Sequence, residues 1–92
     1  MTAMRFTWHE PKRRSTLKRR SLDFADAELV FAGPTFTFED VRENYGEPRW
    51  VSMGLLRGMV VVIVHTESED EIRIISMREA DRDEQLLFFS NL

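Results

Sequence analysis

The side chains of this 92-residue chain best equipped for chemistry are Arg49, Arg73, Arg78, His65 and Glu47. The three arginines fall on or beside segments of strand composition. A guanidinium stays charged and carries forked donors that match phosphate oxygens, so arginines on neighbouring strands point to an anionic ligand. Such a set could cut a phosphodiester through attack by an adjacent hydroxyl. A base takes the hydroxyl proton, cations stabilise charge developing on the phosphate oxygens, and an acid protonates the leaving oxygen. Geometry sets a condition. Arg73 and Arg78 are an odd number of residues apart, and an unbroken strand would send them to opposite faces. They share a site only if the strand ends near Ser76 and the chain turns at Arg78. The alternative is an ion pair with Glu47 or Glu79 that braces the fold. For proton transfer, His65 titrates near neutrality, yet it alternates with Val61 and Ile63 and is equally readable as a satisfied core histidine. Glu47 is either a base or a salt-bridge partner of Arg49, a pairing that would lower its basicity.

A second group sits near the N-terminus. Lys12 opens a helix, where a phosphate binds well. Trp8, at the strand-to-helix junction, could stack on an unpaired base or anchor the core beneath that helix. Arg13, Arg14, Arg19 and Arg20 follow, so residues 1–20 carry +6 and residues 21–92 carry −9, a contrast hidden by the net −3. A basic segment on an acidic body suggests partners of two kinds. Glu67–Glu71 places four carboxylates in five residues. That turn would repel phosphates within about 8–10 Å and belongs away from an anionic substrate or against a basic partner. The tail Leu86–Phe89 is more apolar than core closure needs, which marks Phe88 and Phe89, with Arg13 and Arg14, as a surface for a protein partner.

The elements that must position these groups follow from patterning. Met4–Trp8 alternates as a strand, and Pro11 opens a helix over 10–20. Asp23 caps a second helix with Phe24, Ala27, Val30 and Phe31 on its apolar face, stopped at Gly33-Pro34. Thr35–Phe38 has strand composition, and Glu39–Pro48 reads as a loop. Trp50–Leu55 turns at Arg57-Gly58 into Met59–Thr66, whose wholly apolar Val60–Val64 predicts a central strand buried on both faces. The acidic turn leads into Ile72–Met77. Asp81 then caps a last helix, with Glu84 at the reciprocal position. One α+β domain over 1–92 results: an antiparallel sheet of four to five strands, two N-terminal helices and a C-terminal one, with helices on one side. The chain lacks cysteine, which removes disulfides and suits a cytoplasmic protein. No apolar run is long enough to span a membrane, and there is no signal-peptide core. Its only histidines are His9 and His65, so no metal and no cofactor are expected.

Trp8, Lys12, Tyr45-Gly46-Glu47-Pro48-Arg49, His65-Thr66 and the Arg73-to-Arg78 run stand in an order that resembles the BrnT family of small bacterial ribonuclease toxins, over about Met4 to Phe89. The resemblance implies a RelE-like fold and metal-independent cleavage of RNA through its own 2′-hydroxyl. Carried over residue by residue, it implies catalytic roles for Arg49, Arg73, Arg78, Glu47 and His65, and RNA contacts from Lys12, Trp8, Arg19 and Arg20. It also implies a ribbon-helix-helix antitoxin of the BrnA kind, two toxins with two antitoxins, and joint repression of the operon. Where the family usually has Asn, then Lys-His-Gly, this chain has Thr16, then Arg19-Arg20-Ser21; Met77 replaces an alanine. A non-enzymatic antitoxin-binding member and a general nucleic-acid-binding domain are the alternatives.

Overall fold

A computed structural model describes residues 4–92. The chain runs through β1 (Arg5–Trp8), α1 (Glu10–Arg20), a 3₁₀ turn (Phe24–Asp26), α2 (Ala27–Phe31), β2 (Thr35–Asp40), β3 (Arg49–Leu56), β4 (Met59–Glu67), β5 (Glu71–Glu79) and α3 (Arg82–Ser90). The strands form one sheet in the order β1-β5-β4-β3-β2. Three pairings are antiparallel, but β1 runs parallel to β5, so the sheet is mixed where an antiparallel one is expected from local patterning. The reason is topological: α1 and α2 carry the chain away from β1, and β5 returns beside it only after the meander is complete.

The all-apolar β4 occupies the centre of the sheet. Val61 and Ile63 face a cluster with Phe24, Ala27, Val30, Ile74 and Met77, whereas Val60 and Val62 face one with Val51, Met53, Ala80 and Phe88. Helices therefore lie on both faces, correcting the expectation of one side. We call these the α2 face and the α3 face. The approach of α2 depends on Gly54: a Cβ there would sit 2.6 Å from Val30 Cγ1. The β3–β4 hairpin turns on Arg57 (φ 50°) and Gly58 (φ 82°), the left-handed pair that matches strand twist in a two-residue turn. Asp40 pairs with Arg49, so β2 runs two residues into the stretch read as loop.

β5 does not stop near Ser76. It continues to Glu79 and contains an irregularity: Val64 pairs with Ser76 but His65 pairs with Ile74, leaving Ile75 as an extra residue. Such a bulge resets alternation. Ile74 and Met77, three apart, are consequently both buried on the α2 face, and Arg73 and Arg78 both project to the α3 face.

α3 is secured at its start. The Asp81 carboxylate accepts from the Glu84 backbone N–H at 2.9 Å, and the Glu84 carboxylate accepts from the Asp81 backbone N–H at 2.9 Å. Glu84 also receives both Arg78 terminal nitrogens at 2.7 Å. That bidentate bond is the main reason its carboxyl falls to about 2. Phe88 is fully buried and belongs to the core, whereas Phe89 remains 53% exposed. The partner-surface reading of Phe88 is thus corrected: one helical residue separates an inward ring from an outward one.

His65 is buried on the α2 face, with the Phe31 ring edge-on at 5.1 Å. Its Nε2 lies 2.8 Å from Ser52 Oγ, which is 2.7 Å from Thr37 Oγ1. Nδ1 makes no hydrogen bond, the nearest carboxylate oxygen being Glu67 Oε1 at 3.5 Å. Burial pushes the imidazole down to about 4, so it is neutral at pH 7.

Two outcomes follow from these contacts. Replacing Glu84 by Ala removes the α3 clamp and should cost about 1 kcal/mol. That lowers Tm by roughly 4–8 °C in a thermal melt. For His65, neither state carries the proton above about pH 6.5. Between there and about pH 4 the unfolded chain takes a proton that the native state refuses, so stability falls with pH. The full loss is about 3 kcal/mol. Denaturant melts across that window should show a slope that His65→Gln flattens.

Candidate active site

The α3 helix covers only part of its face. Beyond it, β1, β5, β4 and β3 present a polar strip. Thr7 and Thr66 are the register partners of Arg73 on either side. Arg49 lies one position past the Trp50–His65 pair, on the same face as Val51. Arg73 and Arg49 are thus separated by the single strand β4, or ~10 Å between main chains.

Among the described residues, Arg5, Arg13, Arg42, Arg57 and Arg78 make ion pairs, while Lys12, Arg14, Lys18, Arg19, Arg20, Arg49, Arg73 and Arg82 make none. The unpaired cations are mostly those of α1 and of the strip. Lys12 joins the two groups. Burial, then the positive charges of Arg49, Arg20 and Arg19, hold its ammonium below the ordinary lysine value. The Arg49 guanidinium rests 4.1 Å above the Tyr45 ring. The Tyr45 hydroxyl donates to Asp40 Oδ2 at 3.1 Å, and Arg42 grips both Asp40 oxygens at 2.8 Å. Those bonds, Arg42 first, hold the Asp40 carboxyl well below the usual carboxylate range.

The other residues singled out by sequence go elsewhere. Arg78 shares the face but is held by Glu84 rather than by Glu47 or Glu79. His65 is buried on the opposite face, away from the arginines, because it alternates with core positions. Glu47 is exposed in the loop between β2 and β3, in an open depression with Glu39, Glu43 and Tyr45, and makes no ion pair with Arg49. Trp8 packs half-buried against the α2-face cluster, its Nε1 donating to Glu10 at 2.9 Å. Arg13 is consumed by Asp23 (2.8 Å) and Glu10 (2.9 Å), and Arg14 stays exposed. Arg20 donates to the Met77 carbonyl at 3.0 Å and Arg19 to Ser15 Oγ at 3.2 Å. The acidic turn meets Arg5, which contacts Asp70 at 3.9 Å and Glu71 at 3.3 Å. Sequence reasoning missed Asp40 and Arg42 entirely and gave Tyr45 no role. The Asp-x-Arg-x-x-Tyr spacing was visible, but nothing local reveals that Asp40 is buried.

The strip offers two guanidiniums without an ion pair, a lysine close to Arg49 whose ammonium is held below its ordinary value, and an exposed carboxylate, Glu47, two residues before Arg49 in the chain. That combination can bind a phosphodiester and move protons around it. Comparison with known proteins agrees with this chemistry. The family model described as "Ribonuclease toxin, BrnT, of type II toxin-antitoxin system" matches residues 8–84. Among solved structures, the chain is similar to the ribonuclease toxin BrnT of Brucella abortus, with 25% identity and a TM-score of 0.62. The likeness spans 87% of this chain and all of that one. Curated proteins gave no match. With the family pattern running from Trp8 to Glu84 and the same architecture beneath it, the chain belongs to the BrnT ribonuclease toxins of type II toxin–antitoxin systems.

Proposed function

We propose that the chain is a cytoplasmic endoribonuclease that cuts RNA without a metal ion, the 2′-hydroxyl attacking the adjacent phosphorus. The observation that carries this reading is the pair of unpaired guanidiniums, Arg49 and Arg73, one strand apart on one face of the sheet, with Lys12 close to Arg49. In line attack concentrates negative charge on the non-bridging oxygens, where two preorganised forks act most strongly. Glu47, exposed and two residues from Arg49, is assigned to take the hydroxyl proton. Lys12, with its depressed ammonium, is the donor for the leaving oxygen. Arg19 and Arg20 extend the positive track along the RNA backbone. Arg78 serves through α3 as a brace, and His65 takes no part.

The same reading includes an antitoxin of ribbon-helix-helix type, bound as two toxins with two antitoxins and repressing the operon jointly. Support comes from two surfaces that lack partners in the free chain. One is the unpaired basic run on α1. The other is the outer side of α3, where Leu86 is 59% and Phe89 53% exposed.

Arg49→Ala and Arg73→Ala should each slow cleavage by ~10²–10³, the usual loss of one transition-state donor, at unchanged Tm. Arg78→Ala should instead lower Tm. Alanine variants of Arg49 and Arg73 that unfold would make these residues braces. Cleavage should also proceed in EDTA and leave 2′,3′-cyclic phosphate or 3′-phosphate ends, read by end-group analysis. A Mg²⁺ requirement with 5′-phosphate products would overturn the mechanism, and wild-type protein that binds RNA without cutting it would favour a non-enzymatic role.

A further inference from the structure

Arg49 and Asp40 are direct register partners on β3 and β2, with side chains on the same face. Side chains so placed have Cβ atoms ~5 Å apart, an ideal distance for an arginine–carboxylate pair. Yet they do not pair. Asp40 is 5% exposed, and its whole acceptor capacity is taken by the Arg42 guanidinium at 2.8 and 2.8 Å, the Arg42 backbone N–H at 3.2 Å and the Tyr45 hydroxyl at 3.1 Å. Arg49 meets the ring of that same tyrosine instead. An aromatic face orients a guanidinium without cancelling its charge.

We propose that Arg42 and Tyr45 are positioning residues that sequester Asp40 and so keep the Arg49 charge free for the scissile phosphate. The inference rests on the reading of Arg49 as a phosphate-binding cation and explains how that cation survives beside a carboxylate. Arg42 captures the acid. Tyr45 both helps to hold the acid and supplies the shelf for Arg49. A carboxylate deprived of its partner turns to the nearest cation, and Arg49 stands directly across the strand pair from Asp40. Removing Arg42 therefore turns Asp40 onto Arg49 across the strand pair, and cleavage is lost although no group touching RNA has been changed.

The test compares Arg42→Ala, Asp40→Asn with Arg42→Ala, and Arg49→Ala in the full chain. Readouts are single-turnover cleavage and the salt dependence of binding to a 2′-O-methylated RNA oligonucleotide that cannot be cut. Arg42→Ala should lose part of the activity that Arg49→Ala loses, about tenfold or more. It should also reduce the salt slope by about 0.7, the share of one phosphate contact on a single strand. Adding Asp40→Asn should restore both readouts, because the acid that quenches Arg49 is gone. A merely structural role predicts no such rescue. The Arg42 side chain is 76% exposed, so the variant should fold; a thermal melt confirms it, and Arg42→Gln, which also removes the cation, serves if it does not. The inference fails if Arg49→Ala is impaired while Arg42→Ala matches wild type, or if the double variant stays as poor as Arg42→Ala. An Arg49→Ala protein with wild-type cleavage and salt slope removes the phosphate reading of Arg49, and the inference falls with it.

Discussion

The structure turns on one surplus residue. Ile75 has no partner on β4, and this bulge reverses the facing of everything that follows it on β5. Without it, a register locked by Ile72 and Ile74 in the core would carry Met77 outward and bring Arg78 inward beneath the helices. Each would be a severe mispacking, since a one-residue slip exchanges the two faces of a strand. With it, Met77 is fully buried in the α2-face cluster and Arg78 reaches α3. The bulge thus settles two matters at once, the continuity of the core and the meeting of β5 with the last helix.

From that point the arginines divide into two kinds by what carboxylate lies within reach. Arg78 faces the first turn of α3 and is captured by Glu84, which is itself pinned by the helix cap. Arg73 has threonines on both flanking strands, and the carboxylate nearest to it on its own strand face, Glu71, is held by the Thr7 hydroxyl at 2.6 Å and by Arg5 at 3.3 Å. Arg49 has an acid opposite it, but that acid is already occupied. Position relative to neighbours, rather than residue type, separates a brace from a free cation.

Local features of the fold were legible in the sequence, and long-range ones were not. The capping box at Asp81 and Glu84, the Arg57-Gly58 turn and the buried central strand each follow from a few adjacent residues, whose chemistry dictates the geometry. The bulge could not be read, because an unpaired residue is defined only by two strands together. The parallel β1–β5 pairing and the placement of α3 on its own face are long-range in the same way. At the site, alternation with Val61 and Ile63 offered the core reading of His65 beside the catalytic one expected from the resemblance, and the arginines of the strip were visible by type. Their freedom was not. Whether Arg13, Arg49 or Arg78 is paired depends on Asp23, Asp40 and Glu84, residues brought close only by folding.

The unpaired cations also have a thermodynamic side. Like charges gathered around Lys12 repel one another, and among the described residues neither Lys12 nor Arg19, Arg20 and Arg49 makes an ion pair. The native state therefore carries electrostatic strain that the expanded chain does not, much as functional sites commonly trade stability for chemistry. Any polyanion or acidic protein that settles on that surface removes the repulsion and stabilises the fold by mass action. Occupancy of the cationic surface is thereby coupled to the stability of the fold as well as to what that surface can do.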